Sequence, residues 1–182
     1  MSTTNTLSAS DRVNGVPVRQ CLDLVEAVRQ DRDAGQTRWR ASTTWTGGFA
    51  CESRIRTHTL RLDEPDQLGG SDKAPNPVEA VLAAYGSCLA IGYTLNAAVR
   101  GIEVRSLSVD VDGHIDLAGF FGIDADVPAG FSGITTRVHL DADASEQQLQ
   151  ELHRHVLATS PVGSILGRPL DVQTELVLPA QS

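Results

Sequence analysis

The chain has 182 residues, a formal net charge of −8 and a hydrophobic content of 41%, which suits one soluble domain with a real core. Only 4% of the residues are aromatic, so this core must consist mostly of aliphatic and small side chains. The acidic balance argues against nucleic acid or an anionic membrane as the main partner, because both require a basic surface.

The N-terminal part is divided from the rest by its composition. Residues 1–16 are polar and rich in Ser, Thr and Asn, which is typical of a loose tail. Apolar residues then recur every three or four positions and predict an amphipathic helix over 18–34. We therefore divide the chain into a tail with an added helix, residues 1–37, and a main domain, residues 38–182.

The N-terminal residues and the number of cysteines indicate the cellular location and the redox state of the thiols. The first residues lack a basic segment followed by an apolar run, so we expect no signal peptide. Three cysteines do not make a disulfide framework. We expect free thiols and a cytoplasmic location.

A strand-rich stretch follows the first helix. Thr, Trp, Phe and Ile residues alternate with polar ones between Trp39 and Leu62. This pattern predicts two or three antiparallel strands, with Gly47 and Gly48 turning the chain.

The next segment is a long uncharged helix. No formal charge occurs between Glu79 and Arg100, and Asn76 and Pro77 stand where a helix cap and first turn would be. We predict a helix over 77–100. Its length would suit a membrane span, but its Gly, Ser, Thr and Asn content favours a helix buried by protein. Its small residues permit close approach of another helix, and they suggest that a second copy of the chain covers it: Ala83, Ala84, Gly86, Ser87, Ala90 and Gly92.

Regular alternation returns in the second half of the chain. Apolar and polar residues alternate over 106–117 and again over 134–140, which predicts strands with one buried face. Asp112 and Gly113 could form a hairpin turn, or a bulge within one long strand.

The C-terminal part combines one helix and one strand. Ser145 and Gln148 have the spacing of a capping box and open a helix that Pro161 ends. Alternation over 170–178 predicts a last strand. The whole order is typical of an α+β fold with mostly antiparallel pairing.

Two stretches resemble a known family. "GGSDKAPNPVEAVLAAYGSCLAIGYTLNAAVRGIEV" and "HVLATSPVGSILGRPLDVQTEL" resemble the OsmC-like family, which includes the organic hydroperoxide resistance proteins. The resemblance covers roughly residues 40–178. It implies antiparallel sheets around a buried central helix in an intertwined homodimer, with active sites at the subunit interface and no cofactor or metal.

The resemblance also implies site residues. The peroxidase members use a first cysteine on the central helix, here Cys88, and a second cysteine at the position of Ser160. A serine cannot form a disulfide. The family's acid follows Asn-Pro directly, where this chain has Val78, and Glu79 comes one position later. Glu79 lies nine residues before Cys88, on the opposite face of a straight helix and roughly 13 Å away along its axis.

An arginine is the remaining family element. We take Arg54 as the candidate, although the strand-rich stretch offers several arginines: Arg38, Arg40, Arg54, Arg56 and Arg61. A reactive thiol needs such a cation nearby, because the thiolate is the nucleophile. Without one, Cys88 is simply a small core residue.

These observations leave two functions open. The first is thiol-dependent reduction of organic hydroperoxides through Cys88 alone, with a low-molecular-weight or protein thiol as reductant, or with Cys51 as an unusual resolving thiol. The second is a non-catalytic homodimer that binds a small apolar ligand at its interface. Neither requires nucleic acid, a membrane, a metal or a cofactor.

Overall fold

Helices and strands alternate in blocks along residues 12–179, the part of the chain that the computed structural model describes. The helices are α1 Val18–Gln30, α2 Pro77–Val99, α3 Leu117–Phe120, α4 Glu146–Thr159 and α5 Pro161–Gly167. The strands are β1 Arg12–Val13, β2 Val16–Pro17, β3 Ser42–Gly47, β4 Ala50–Ile55, β5 His58–Leu62, β6 Val104–His114 and β7 Gly133–Ala142. Short 3₁₀ turns occupy Arg32–Gly35 and Asp66–Leu68.

All strand pairs are antiparallel, in the orders β1-β2, β3-β4-β5 and β6-β7. The α+β class is therefore confirmed. The alternating segment after α2 is one long strand, since β6 continues through Asp112 and Gly113 while pairing with β7. A register shift occurs instead between Val104 and Ser106.

The core lies where α2 meets β6 and α4. Glycines make this close approach possible: a Cβ added at Gly86 would lie 3.3 Å from Val111 Cγ2, and one added at Gly92 would lie 3.0 Å from Val156 Cγ1. The residues of the core are mostly small or aliphatic, as the composition predicts: Leu89, Tyr93, Ala97, Ile102, Ala142, Leu152 and Val156.

One polar pair enters this core. The Tyr93 hydroxyl and His153 Nδ1 form a hydrogen bond between α2 and α4, and burial raises the pKa of Tyr93. The contact gives the partly buried His153 a hydrogen-bond partner.

The N-terminal predictions were partly wrong. Residues 1–11 of the predicted tail lie outside the described residues, but 12–17 form the β1-β2 hairpin. The first helix ends at Gln30 rather than at residue 34, because Asp31 has an extended conformation and its side chain caps the following 3₁₀ turn.

One further prediction does not hold within a single chain, and one depends on a second copy that the structure does not include. Residues 170–178 form no strand, because a strand needs a neighbour to satisfy its backbone groups, and no strand of the described chain pairs with them. The helix α2 is also not covered on all sides: Ala84, Ser87 and Ile91 lie on one exposed face, and Ile91 is 67% exposed.

A buried carboxylate organises the loop between β5 and α2. Asp63 is 3% exposed, and its Oδ2 accepts hydrogen bonds from the Ser71 hydroxyl at 2.6 Å, from Ser71 N at 3.2 Å and from Lys73 N at 3.3 Å. These bonds, that of the Ser71 hydroxyl above all, hold the pKa of Asp63 below its ordinary value of 3.8. The loop therefore depends on the ionised form of this side chain.

We predict that Asp63→Asn destabilises the protein at neutral pH and that the difference shrinks in acid. The folded-state pKa lies below the unfolded-state value, so this stabilisation is present above the unfolded-state pKa and is lost as the pH falls through the folded-state pKa. Thermal unfolding near neutral pH and at about pH 2–3 tests it. The exposed Asp66→Asn is the control, and an equal melting-temperature loss in both variants would contradict the prediction.

Candidate active site

Cys88 lies in the middle of α2 and faces the junction of α4 and α5. Its side chain is half-buried, and its Sγ lies 3.4 Å from the Ser160 Oγ. The two positions that the family resemblance pairs, 72 residues apart in sequence, are thus in contact. A sulfur and a hydroxyl at this distance form a hydrogen bond in which either can donate.

Ser160 is held in place by its own helix. It is 6% exposed and caps α5, where its Oγ accepts a hydrogen bond from Gly163 N at 3.1 Å. The hydroxyl proton remains available to Cys88. A thiolate has no proton to donate, so in that state Ser160 must be the donor and Cys88 the acceptor.

Close approach of α5 to α2 depends on Gly163. A Cβ added there would lie 3.1 Å from Ser160 Oγ and 3.2 Å from Tyr85 Cε2. Beside this contact is a pocket of about 520 Å³. Its lining is apolar at Tyr85, Phe131, Ile134 and Leu166, and it includes neither Cys88 nor Ser160. Gly163 lines the pocket and also contacts Ser160, so an uncharged ligand bound there would lie near the Cys88–Ser160 pair.

Glu79 has a clear structural function at the start of α2. Its Oε2 accepts a hydrogen bond from Asn76 N at 2.8 Å, and Asn76 Oδ1 accepts one from Glu79 N at 2.8 Å. This is a complete capping box, with Pro77 in the first turn. The cap confirms the predicted helix start. A catalytic role for Glu79 stays a prediction.

Arg54 lies away from the Cys88–Ser160 pair in the single chain. It is exposed at the end of β4, and the β3-β4-β5 sheet is not among the elements that pack extensively on α2. Within residues 12–179, no arginine or lysine side chain donates a hydrogen bond to Cys88. The role of Arg54 also stays a prediction.

The other thiols are separate from this pair. Cys51 lies on β4 opposite Leu62, and Cys21 lies on α1. All three cysteines are free and half-buried. Among residues 12–179, no three His, Cys, Asp or Glu side chains are grouped closely enough to hold a metal ion.

Comparison with known proteins identifies the family. The sequence model of the OsmC-like protein family matches residues 70–175, more than half of the chain and the part that contains Cys88 and Ser160. This chain belongs to the OsmC-like family. No curated protein gives a significant match.

Solved structures share the OsmC-like fold. An OsmC-like protein from Mycoplasma pneumoniae is 17% identical with a TM-score of 0.63, over 72% of this chain and 89% of that one. An organic hydroperoxide resistance protein from Legionella pneumophila is 19% identical with a TM-score of 0.54, over 72% and 91%. One from Elizabethkingia anophelis is 19% identical with a TM-score of 0.52, over 71% and 89%. At these identities the likeness establishes the fold.

The family also accounts for the most hydrophobic segment. Among the described helices, α2 alone is long and apolar enough to cross a membrane. It is the central helix of the OsmC-like fold, with its inner face packed on β6 and α4. A soluble protein is therefore the consistent interpretation.

One element of the site was not predicted from the sequence. No element was predicted between Pro161, where the preceding helix was expected to end, and residue 170, but Pro161–Gly167 form α5. The Ser-Pro pair is itself a helix-start signal, with serine as the cap and proline in the first turn. That signal would have placed Ser160 at a helix start.

The contact predicts that Ser160→Cys forms a disulfide with Cys88 under mild oxidation, because two sulfurs would replace a pair 3.4 Å apart. Peptide mapping by mass spectrometry, with and without reduction, detects the cross-link. Ser164→Cys, on the same helix but exposed, is the control. Cross-linking of both variants, or of neither, would contradict the geometry.

Proposed function

We propose that this OsmC-like protein reduces organic hydroperoxides by a thiol-dependent reaction that uses Cys88 alone. The observation that carries the proposal is the hydrogen bond between Cys88 Sγ and Ser160 Oγ. It places the buried hydroxyl of Ser160 beside Cys88, the cysteine that occupies the position of the family's first, peroxide-reducing cysteine. The nearby pocket beside Tyr85, which no charged residue of the described chain lines, supports an organic substrate.

The proposed first step is attack by the Cys88 thiolate on the outer peroxide oxygen. An S–O bond forms and the O–O bond breaks. The electron pair leaves with the alkoxide, which takes a proton from water to become an alcohol, and Cys88, bonded to the outer oxygen and its hydrogen, becomes a sulfenic acid. Before the attack, the Ser160 hydroxyl donates a hydrogen bond to the thiolate, keeping its own proton, and so orients the sulfur.

The return step requires thiols from outside this pair. An external thiol attacks the sulfenic sulfur and forms a mixed disulfide while water leaves. A second external thiol then releases Cys88 and carries the disulfide away. Ser160 cannot perform this step, and Cys51 lies on a sheet that does not pack extensively on α2. A low-molecular-weight or protein thiol in the cytoplasm is the proposed reductant.

We infer that the working form is a homodimer. The exposed face of α2 combines small and apolar residues at helical spacing, Ala84, Ser87 and Ile91, which suits close packing of a second helix. The unpaired segment 168–179 also exposes its alternating apolar residues, among them Val172 and Leu176, which are 79% and 83% exposed. Strand pairing with a second copy would cover both. A second copy is also the remaining source of a cation for Cys88, because no described arginine or lysine of the same chain hydrogen-bonds its sulfur.

A second candidate function is supported by the same pocket. No described arginine or lysine hydrogen-bonds Cys88, and no charged side chain is among the described residues that line the 520 Å³ pocket. A non-catalytic protein that binds a small apolar ligand at the dimer interface would need nothing more. Reactivity of Cys88 separates the two functions.

We predict that Cys88→Ser lowers cumene hydroperoxide turnover by about a thousandfold or more, as removal of a nucleophile does. The assay supplies either a monothiol or a dithiol, and mass spectrometry records the oxidised state. Cys51→Ser and Cys21→Ser are matched controls that keep Cys88, and both are expected to retain turnover.

Other results of this turnover assay would support the alternative reductant or the alternative function. Equal loss in Cys88→Ser and Cys51→Ser, with a disulfide between the two cysteines, would mean that Cys51 resolves the sulfenic acid. A wild-type protein that neither turns over peroxide nor becomes oxidised at Cys88 would refute the peroxidase proposal and favour ligand binding.

We predict that the wild-type chain runs at twice its monomer mass in size exclusion with light scattering. Val172→Lys with Leu176→Lys should dissociate it, because both positions share the apolar face of the unpaired segment. Gln173→Lys with Glu175→Lys, which adds two lysines on the opposite parity, should leave the dimer intact. A stable wild-type monomer, or equal dissociation in both variants, would contradict the inferred dimer.

A further inference from the structure

Four arginines surround one pocket at the end of the β3-β4-β5 sheet. The pocket has a volume of about 660 Å³, which is within the range of small-molecule sites. Arg38 and Arg40 contribute from the segment before β3, and Arg54 and Arg56 contribute from the end of β4 and the turn that follows. We call these residues the arginine pocket.

Strand register explains why the two pairs meet. Ser42 pairs with Arg54 across β3 and β4. The strands are antiparallel, so the residues before Ser42 run alongside those after Arg54. Two basic pairs, separate in sequence, therefore form opposite walls of one pocket.

None of these charges is neutralised within the described chain. The ion pairs of residues 12–179 involve other basic side chains: Arg19, Arg29, Arg61, Arg105, Arg137 and His139. Arg61 illustrates the difference, since it lies on the same sheet and pairs with Glu52 at 3.4 Å. In a chain of net charge −8, four unpaired guanidinium groups around one pocket attract an anion.

The backbone gives a second indication. Arg56 has φ 55°, in the left-handed region that a two-residue hairpin turn usually fills with Asn or Gly. An arginine there is unfavourable for the turn, and strained positions are concentrated at binding and catalytic sites.

The pocket also has an apolar side. Trp39 is 76% exposed and lies between two of the arginines in sequence, and Ile55 lines the same pocket. The indole N–H of Trp39 already donates to Thr37 Oγ1 at 3.0 Å. What remains free is its ring face, which can stack on a planar group.

We propose that the arginine pocket binds a small polyanion that carries a planar ring, of which a nucleoside diphosphate is the simplest example. Guanidinium forks match phosphate oxygens in bidentate geometry, and Trp39 stacks on the ring. The proposal does not rest on the peroxidase reaction of Cys88, although the pocket includes Arg54, which is also the candidate cation for that thiol.

The test uses Trp39 as its own reporter. The chain has two tryptophans, Trp39 and Trp45, so the full-length Trp45→Phe protein reports on the pocket alone. We expect ADP to change its fluorescence in a saturable, salt-sensitive way, with inorganic pyrophosphate binding more weakly and adenosine more weakly still. Arg38→Gln with Arg56→Gln, in the Trp45→Phe protein, should weaken ADP binding by about tenfold or more, since hydrogen bonds to charged groups are lost.

The control removes the same charge elsewhere. Arg29→Gln with Arg61→Gln deletes two arginines that are already paired with Glu26 and Glu52 and should leave ADP binding unchanged. Equal weakening in both double variants, adenosine binding as tightly as ADP, or no response to ADP and pyrophosphate would overturn the proposal. A change of oligomeric state in Arg38→Gln with Arg56→Gln, without ADP binding in the wild type, would also overturn it and make the pocket a subunit contact.

Discussion

Close packing of α2 is the constraint on which the rest of this structure depends. Gly86 lets the helix approach β6, and Gly92 lets it approach α4, where an added Cβ would meet Val156 at 3.0 Å. At this separation Leu89 and Tyr93 become fully buried. The same helix carries Cys88, so the packing that forms the core also fixes the position along α2 at which the thiol contacts the start of α5.

The residues that cap α2 and α5, the two helices that bring Cys88 and Ser160 together, are part of this arrangement. Asn76 and Glu79 fix where α2 begins, and Ser160 fixes where α5 begins. The Oγ of Ser160 thus has two functions. It accepts a hydrogen bond from a backbone N–H in the first turn of α5, and it contacts the sulfur of Cys88. Because the same oxygen accepts a hydrogen bond from Gly163 N, the cap restrains the side chain that contacts the thiol.

The parts of the fold that were predictable from sequence are those whose signals are local. The Asn-Pro start of α2, the capping box at Ser145 and the alternation of β6 each depend on residues within a few positions of one another. The predictions that failed concern elements that form only with a partner distant in sequence or on another chain. Alternation over 170–178 is a strand pattern, but pairing requires a neighbour that the single chain does not provide.

The site shows the same division. The family motif placed Cys88 and Ser160 without any geometry, and the structure brings them into contact. The arginine was less predictable, because its position depends on how the β3-β4-β5 sheet is placed relative to α2. Alternation along β4 gives the face on which Arg54 lies but not what that face meets. The four-arginine pocket likewise follows from register between Ser42 and Arg54, which no local pattern specifies.

The hydroxyl at position 160 has a consequence for the lifetime of the proposed enzyme. A neighbouring thiol would capture a sulfenic acid within the protein, whereas Ser160 leaves that sulfur open to whatever arrives next. If external thiol is scarce, the next arrival is a second peroxide, and the sulfur advances to a sulfinic acid that ordinary thiols do not reverse. Such a protein would be inactivated by excess of its own substrate, so it would work best where peroxide is dilute and reductant abundant.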